Sequence, residues 1–255
     1  MNSQFILNYT GQKFKETKEL DNIDFSNYKT IVECFGGSFG FSRYLYQMKG
    51  LKDINYIIYD NDKELIDFYN YIKQLLIDDK FDEFINKYND IMNYIQENFN
   101  YKGHNTLLVN KTTKKYVLTI EDKYLKFMLL KNIFRGGRAN TSYKKNLKFL
   151  DMIKNTTFIH NNFNRKDLEK YDKDTTLFYL DPPYVLEDNT SYNNTDDMKT
   201  FYEDIIYLFE NKKAIFIHSY NYLLNYVFGK YKRFEYTKKY MGSRKIVQHY
   251  VYGTY

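Results

Sequence analysis

The sequence predicts an α/β fold: a parallel sheet flanked by helices, with a mostly helical insertion. Three observations carry this. Short apolar, β-branched runs stop at glycines or an acid, and a helical period follows the first two of them. Between residues 78 and 148 the pattern turns helical throughout, before strand-like runs resume. With 255 residues, 43% of them hydrophobic, the chain is long and apolar enough to bury a sizeable core.

Taken in order, Thr30 to Phe35 reads as a buried strand running into glycines, and Phe41 to Met48 as the helix after it. Ile54 to Tyr59 reads as a second strand closed by Asp60. Asp62 is placed to cap a helix reaching about Leu76, with apolar positions at Leu65, Ile66, Phe68, Tyr69 and Ile72. Asp78 to Asn100 is acidic with a helical period, and Lys111 to Lys148 is basic. Residues 78–148 therefore read as an inserted subdomain between two parts, 1–77 and 149–255, of one sheet-bearing domain. Strand-like runs resume at Thr156 to His160, Thr176 to Leu180 and Ala214 to His218; Tyr231 to Thr237 and Lys245 to Tyr255 read as a closing antiparallel pair. No repeat and no Pro/Gly/Ser-rich linker interrupts the chain, so the parts are expected to pack as one unit.

Several classes of protein are disfavoured. No apolar run approaches the roughly 18–20 residues that a membrane span needs, and Met1 to Leu20 lacks the basic-then-apolar order of a signal peptide. The single cysteine, Cys34, has no internal partner, which fits a reducing, cytoplasmic setting; inside its strand it is expected to be a core residue. His104, His160, His218 and His249 lie far apart, without metal-ligand spacing, and no metal is expected.

The formal net charge of +6 is unevenly spread. From Lys111 to Lys148 eleven basic residues face Glu121 and Asp122 alone, a local +9 that leaves −3 for the rest of the chain. Interleaved with Tyr116, Tyr124, Phe134 and Tyr143, this stretch reads either as the footprint of a polyanion binder or as a solvated helix face.

The chain has two prolines, adjacent in Asp181-Pro182-Pro183-Tyr184, directly after the run Leu177 to Leu180. Proline cannot continue a strand ladder, so the chain must turn stiffly there. In an α/β sheet the space beyond a strand's carboxyl end is where ligands bind, and here a carboxylate and an aromatic face are fixed at that spot. Phe35-Gly36-Gly37-Ser38-Phe39-Gly40 holds three of the eleven glycines between a strand and a helix, which permits close approach of the backbone to a ligand. Asp60 ends the next strand, about twenty residues on, where an acid can accept hydrogen bonds from ribose hydroxyls; its other reading is a helix cap. Together these features predict a nucleoside-type cofactor beside a carboxylate–aromatic site.

These motifs, with an insertion between them, resemble those of the Dam-type DNA adenine-N6 methyltransferases. Asn8-Tyr9-Thr10-Gly11-Gln12-Lys13 is similar to the family's aromatic-x-Gly-x-Lys opening, and Tyr59-Asp60-Asn61-Asp62 to the segment whose aspartate holds the cofactor ribose. A looser likeness runs through Phe158 to Phe163, Thr190-Ser191-Tyr192 and Phe216 to Tyr220. The family's turn has a second glycine where Phe39 stands, so either the turn is shifted by one residue or Phe39 packs near the cofactor. Phe134 to Asn140 resembles a shortened form of the family's recognition stretch.

The resemblance implies a Rossmann-like S-adenosylmethionine-dependent methyltransferase sheet carrying an inserted, mostly helical DNA-recognition subdomain. It implies transfer of a methyl group from S-adenosylmethionine to N6 of an adenine flipped out of duplex DNA, with S-adenosylhomocysteine as product. Asp181 and the Pro182 carbonyl would accept from the amino group, Pro183 would stiffen the loop and Tyr184 would stack on the base. On the cofactor side it implies Tyr9, Gly11 and Lys13 near the methionine carboxylate, and Phe35, Gly36, Gly37 and Ser38 along the amino-acid end. Asp60 would hold the ribose and Asn162 and Phe163 the adenine moiety, with Asp181 also among the cofactor-binding residues. Arg135 and Arg138, with Asn140 alongside, would read base edges, while Lys111, Lys114, Lys115, Lys144 and Lys145 would meet phosphates. The implied partners are double-stranded DNA and, in a restriction-modification setting, a cognate endonuclease; the implied state is a monomer or weak dimer in the cytoplasm, at a nucleoid or at a viral replication site. The same tetrapeptide also suits an RNA adenine or another amino-group methyltransferase, and a catalytically inactive DNA-binding or regulatory homologue is the reading from a different class.

Overall fold

Seven strands form one mostly parallel sheet: β1 (Thr30–Glu33), β2 (Asn55–Asp60), β3 (Thr157–His160), β4 (Thr176–Leu180), β5 (Lys213–Ser219), β6 (Lys232–Lys239) and β7 (Ile246–Gly253). They come from a computed structural model that describes residues 6–7, 13–99, 107–134, 149–182, 198–239 and 246–255. The spatial order is β3-β2-β1-β4-β5-β7-β6. The first five run parallel, whereas β7 is antiparallel to both β5 and β6. Chain order reverses between β1 and β4, and such a switch point opens a crevice at the carboxyl ends of those two strands.

Successive strand residues point to opposite faces, and the sheet sorts its apolar side chains accordingly. Ile31, Ile58, Leu177, Tyr179 and Ile215 enter one buried layer; Val32, Cys34, Ile57, Phe178, Leu180 and Phe216 enter the other. The first layer is covered by α1 (Gly40–Met48), α2 (Lys63–Ile77), α3 (Phe81–Phe99), α4 (Leu107–Leu118), α5 (Lys123–Phe134) and α6 (Leu150–Asn155). The second is covered by α7 (Arg165–Glu169), α8 (Met198–Asn211) and α9 (Tyr222–Phe228). The result is the α/β arrangement expected, compatible with a Rossmann-like fold. Both faces being covered explains why the parallel strands are apolar runs rather than alternating ones.

Local rules place the elements close to their expected limits. Asp62 caps α2 by accepting from the Leu65 amide at 3.1 Å. The five apolar positions foreseen on that helix are all buried, each contributing about 1.5–3 kcal/mol of burial. Cys34 is a buried core residue, as expected, and burial pushes its thiol up.

The described part of residues 78–148 is helical, as expected. It does not close on a core of its own: Tyr88, Met92, Val117 and Met128 are fully buried in the same layer as Ile31 and Ile58. Asn132 of α5 adds polar ties, donating to the Ile6 carbonyl at 3.1 Å and to the Tyr88 hydroxyl at 3.3 Å. No helix among the described residues is long and apolar enough to cross a membrane.

Candidate active site at the carboxyl ends of β1 and β4

The glycine turn leaves β1 and folds back against β2. A Cβ on Gly36 would lie 2.2 Å from Ile58 Cγ2 and 3.2 Å from the Tyr59 carbonyl, so only glycine lets the turn lie this close. The Gly36 amide donates to that carbonyl at 2.8 Å. Gly37 has a left-handed φ of +47°, and its carbonyl accepts from the Tyr69 hydroxyl at 2.6 Å. Phe39 is left-handed too, with φ +39°. Its ring is fully buried, edge-on to Tyr69 at 5.1 Å and Phe158 at 5.5 Å. Phe39 is thus a core ring in a backbone conformation that glycine adopts at less cost.

Asp60 is the acid that braces this turn. One carboxylate oxygen accepts from the Gly37 amide at 2.7 Å and the other from the Asp62 amide at 2.8 Å. It is Asp62 that caps α2, not Asp60. Burial pushes the Asp60 carboxyl up, against the pull of these two donors.

At the neighbouring strand end, Asp181 follows the last residue of β4. Its side chain is 11% exposed and lies 3.2 Å from the Lys13 ammonium, equally enclosed. Burial pushes Asp181 up to about 6; Lys13 opposes this, and the nearby Glu16 carboxylate adds to it. Pro182 is buried beside it. Lys13 is set in place by the short 3-10 helix Glu16–Leu20, because its carbonyl accepts from the Thr17 amide and hydroxyl, both at 2.9 Å.

Two further groups surround the carboxylate. Glu33, at the end of β1, is buried and accepts from the Ser42 hydroxyl at 2.6 Å and amide at 3.1 Å. Burial pushes it up to about 7, and the charge of Asp181 contributes. On the other side, Glu16 accepts from the Tyr236 hydroxyl at 3.1 Å and pairs with Lys238. His249 of β7 stacks on Tyr236 with ring centroids 5.2 Å apart, and burial, then Lys13, holds its imidazole down at about 4.

Of the expected residues, Phe35, Gly36, Gly37, Ser38 and Asp60 lie just beyond or at the carboxyl ends of β1 and β2, and Asp181 and Pro182 beyond that of β4, with Lys13 paired to Asp181. Phe35 and Phe163 are partly exposed and meet at 5.3 Å, both resting on Phe201. Asn162 next to them is exposed. Lys111, Lys114 and Lys115 are exposed on α4, whereas Lys131 of the same basic stretch turns inward to Asp62 at 3.3 Å. Tyr9, Gly11, Pro183, Tyr184, Arg135, Arg138, Asn140, Lys144 and Lys145 lie outside the described residues.

Sequence reasoning missed Glu33, Glu16, Tyr236, Lys238 and His249. Glu33 had a signal, a lone acid inside an apolar strand. The others had none: Glu16 meets Tyr236 and Lys238 across more than 200 positions, and His249 comes in through the pairing of β6 with β7. No protein-family model matches the chain, and no curated protein matches it by sequence.

Proposed function

We propose that the chain is a site-specific DNA adenine-N6 methyltransferase that uses S-adenosylmethionine and acts on an adenine flipped out of the duplex. The observation that carries this reading is the Asp181 carboxylate, nearly buried at the end of β4 and 3.2 Å from Lys13, across the switch point from the glycine turn.

The residues fit such a cofactor. An ionised carboxylate offers about four acceptor sites, and Asp60 spends two on backbone amides, which leaves capacity for ribose hydroxyls. Gly36 and Gly37 bring backbone to the crevice with no side chain between. Phe35 and Phe163 offer a partly exposed aromatic wall for a purine. When bound, S-adenosylmethionine supplies a methyl group on a positively charged sulfur.

The chain's own residues would do the rest. An exocyclic amine is a weak nucleophile because its lone pair is delocalised into the ring. The Asp181 carboxylate and the Pro182 carbonyl, both acceptors, would take its two N–H bonds and draw the nitrogen toward tetrahedral geometry. They would also stabilise the positive charge that develops on it. That role needs Asp181 ionised. Lys13 counters the cost of burial, so the group ionises through about pH 6 and is charged at neutral pH. Lys111, Lys114 and Lys115 on α4 would meet phosphates, positioning the duplex without reading its sequence.

The test is methyl transfer itself: labelled S-adenosylmethionine, purified protein and unmethylated A/T-rich duplex, digested to nucleosides and weighed by mass spectrometry, with Asp181→Ala as control. Labelled N6-methyldeoxyadenosine that disappears in the control is the expected result. Label on RNA but not DNA would replace the substrate. Cofactor binding with no transfer to any nucleic acid would leave the inactive DNA-binding homologue.

A further inference from the structure

Glu16 has no part in the chemistry just assigned, yet it is among the most heavily engaged side chains near it. It is 11% exposed and receives donors from two separate elements: the Lys13 ammonium at 3.5 Å from its own segment, and from β6 the Tyr236 hydroxyl at 3.1 Å and the Lys238 ammonium. Lys13 reaches on to Asp181 at 3.2 Å. On the methyltransferase reading, we propose that Glu16 is a positioning residue for the reaction centre: it shares the Lys13 ammonium with Asp181 and anchors it, through Tyr236 and Lys238, to the β6–β7 pair.

The chemistry of the groups supports a shared cation. An ammonium carries three donors on a flexible stem, so one lysine can serve two carboxylates. With Asp181 as its only acid, Lys13 would close into a dedicated ion pair and compete with an incoming amine for the same lone pairs. A second carboxylate on the far side holds the ammonium back. Glu16 cannot swing away, because the Tyr236 hydroxyl and Lys238 fix it from the sheet, and the Tyr236 ring is itself stacked on His249.

Charge sets the signs of the test. Around Asp181 stand Lys13 and Glu16 from the N-terminal segment, Glu33 from β1, Tyr179 from β4, and Tyr236 and Lys238 from β6. Around Glu16 stand Lys13, Tyr236, Lys238 and, from β7, His249. Glu16 pushes the ionisation of Asp181 to higher pH, whereas Lys238 pulls it lower. Removing each should therefore move Asp181 in opposite directions, which a purely structural role would not do.

The experiment follows the Asp181 carboxyl carbon by NMR in full-length protein labelled with 13C-aspartate, the resonance being assigned by its loss in Asp181→Asn. Neither cofactor nor DNA is added. Glu16→Gln should lower the titration midpoint and Lys238→Met should raise it, each by about half a unit or more, with Glu16→Asp returning it toward the wild-type value. If Glu16→Gln fails to fold, the upward shift in Lys238→Met, a more peripheral side chain, is the deciding result. A midpoint that does not move, or moves the same way in both variants, overturns the proposal. Because this readout needs no turnover, shifts as expected in a protein that transfers no methyl group would leave the shared cation standing and remove the methyltransferase reading on which its role rests.

Discussion

A Cβ on Gly40 would lie 2.6 Å from the backbone nitrogen of Phe14 and 3.0 Å from that of Lys13. The segment carrying Lys13 therefore rests directly on the first turn of α1, and glycine is what permits it. Gly40→Ala should force the two apart at a cost of about 1–3 kcal/mol, visible in urea unfolding, and on the proposed function should weaken methyl transfer by displacing Lys13. Gly50→Ala is the contrast. That residue has φ +69° and open space around it, so strain of about 1–2 kcal/mol is expected with methyl transfer unchanged. Wild-type stability in Gly40→Ala would contradict the close packing.

Phe39→Gly tests which of two effects wins. Glycine would relieve the left-handed backbone, worth about 1–2 kcal/mol. Losing a fully buried phenylalanine costs about 3–5 kcal/mol, and the ring at this position packs on Tyr69 and Phe158. The variant should be less stable by about 1–4 kcal/mol. A neutral or stabilising effect in thermal unfolding would mean that the ring contributes little.

On the proposed function, reversing the exposed charges of α4 in a Lys111→Glu/Lys114→Glu/Lys115→Glu variant should weaken binding to every DNA sequence alike. If all three meet phosphates, the log–log salt slope should flatten by about 2–3. Binding isotherms at several salt concentrations decide this, and an unchanged slope takes α4 out of the interface.

His249 should make the fold acid-sensitive. Its imidazole is held down at about 4, against an ordinary 6.5, so between those values the unfolded chain takes up the proton first. Its contribution is complete above pH 6.5 and is lost as pH falls toward 4, on the order of 3 kcal/mol in all. Asp181 works the other way. Raised from 3.8 to about 6, it lowers stability as pH rises through that window, so wild-type stability alone would hide both. His249→Phe keeps a ring against Tyr236, and stability measured at pH 4, 5, 6 and 7 should fall less on the acid side than in the wild type. Parallel curves would show that His249 does not titrate as described.

The central strands could be read from the sequence because β1, β2 and β4 are short apolar runs that stop at glycine, an acid or proline. Thr176–Leu180 and the Asp62 cap are cases where one local rule sufficed. The insertion of β7 between β5 and β6 could not be read, since pairing order is set by contacts distant in sequence. Helices α7 and α9 went unseen because five and seven residues are too few to show a period. For the site the division is the same. Asp60, Asp181 and the glycines announce themselves through turn and strand-end chemistry. Lys13 stood out through a motif, but its pairing with Asp181, and that of Glu16 with Tyr236 and Lys238, exist only once the sheet has formed.

The contact between Glu16 and Lys238 joins residues 222 positions apart. On a ribosome adding 5–20 residues each second, roughly 10–45 s pass between the synthesis of one and the other. For that interval the nascent chain can assemble its parallel strands, but β5 presents an open edge until β7 arrives to cover it. A translation product stopped after Ser219 would thus hold Lys13 and Asp181 without the strands that anchor Glu16, and would offer its bare edge to other chains. The last strands made both complete the charge network and seal the sheet, so an unfinished copy is exposed to aggregation or proteolysis before its site is assembled.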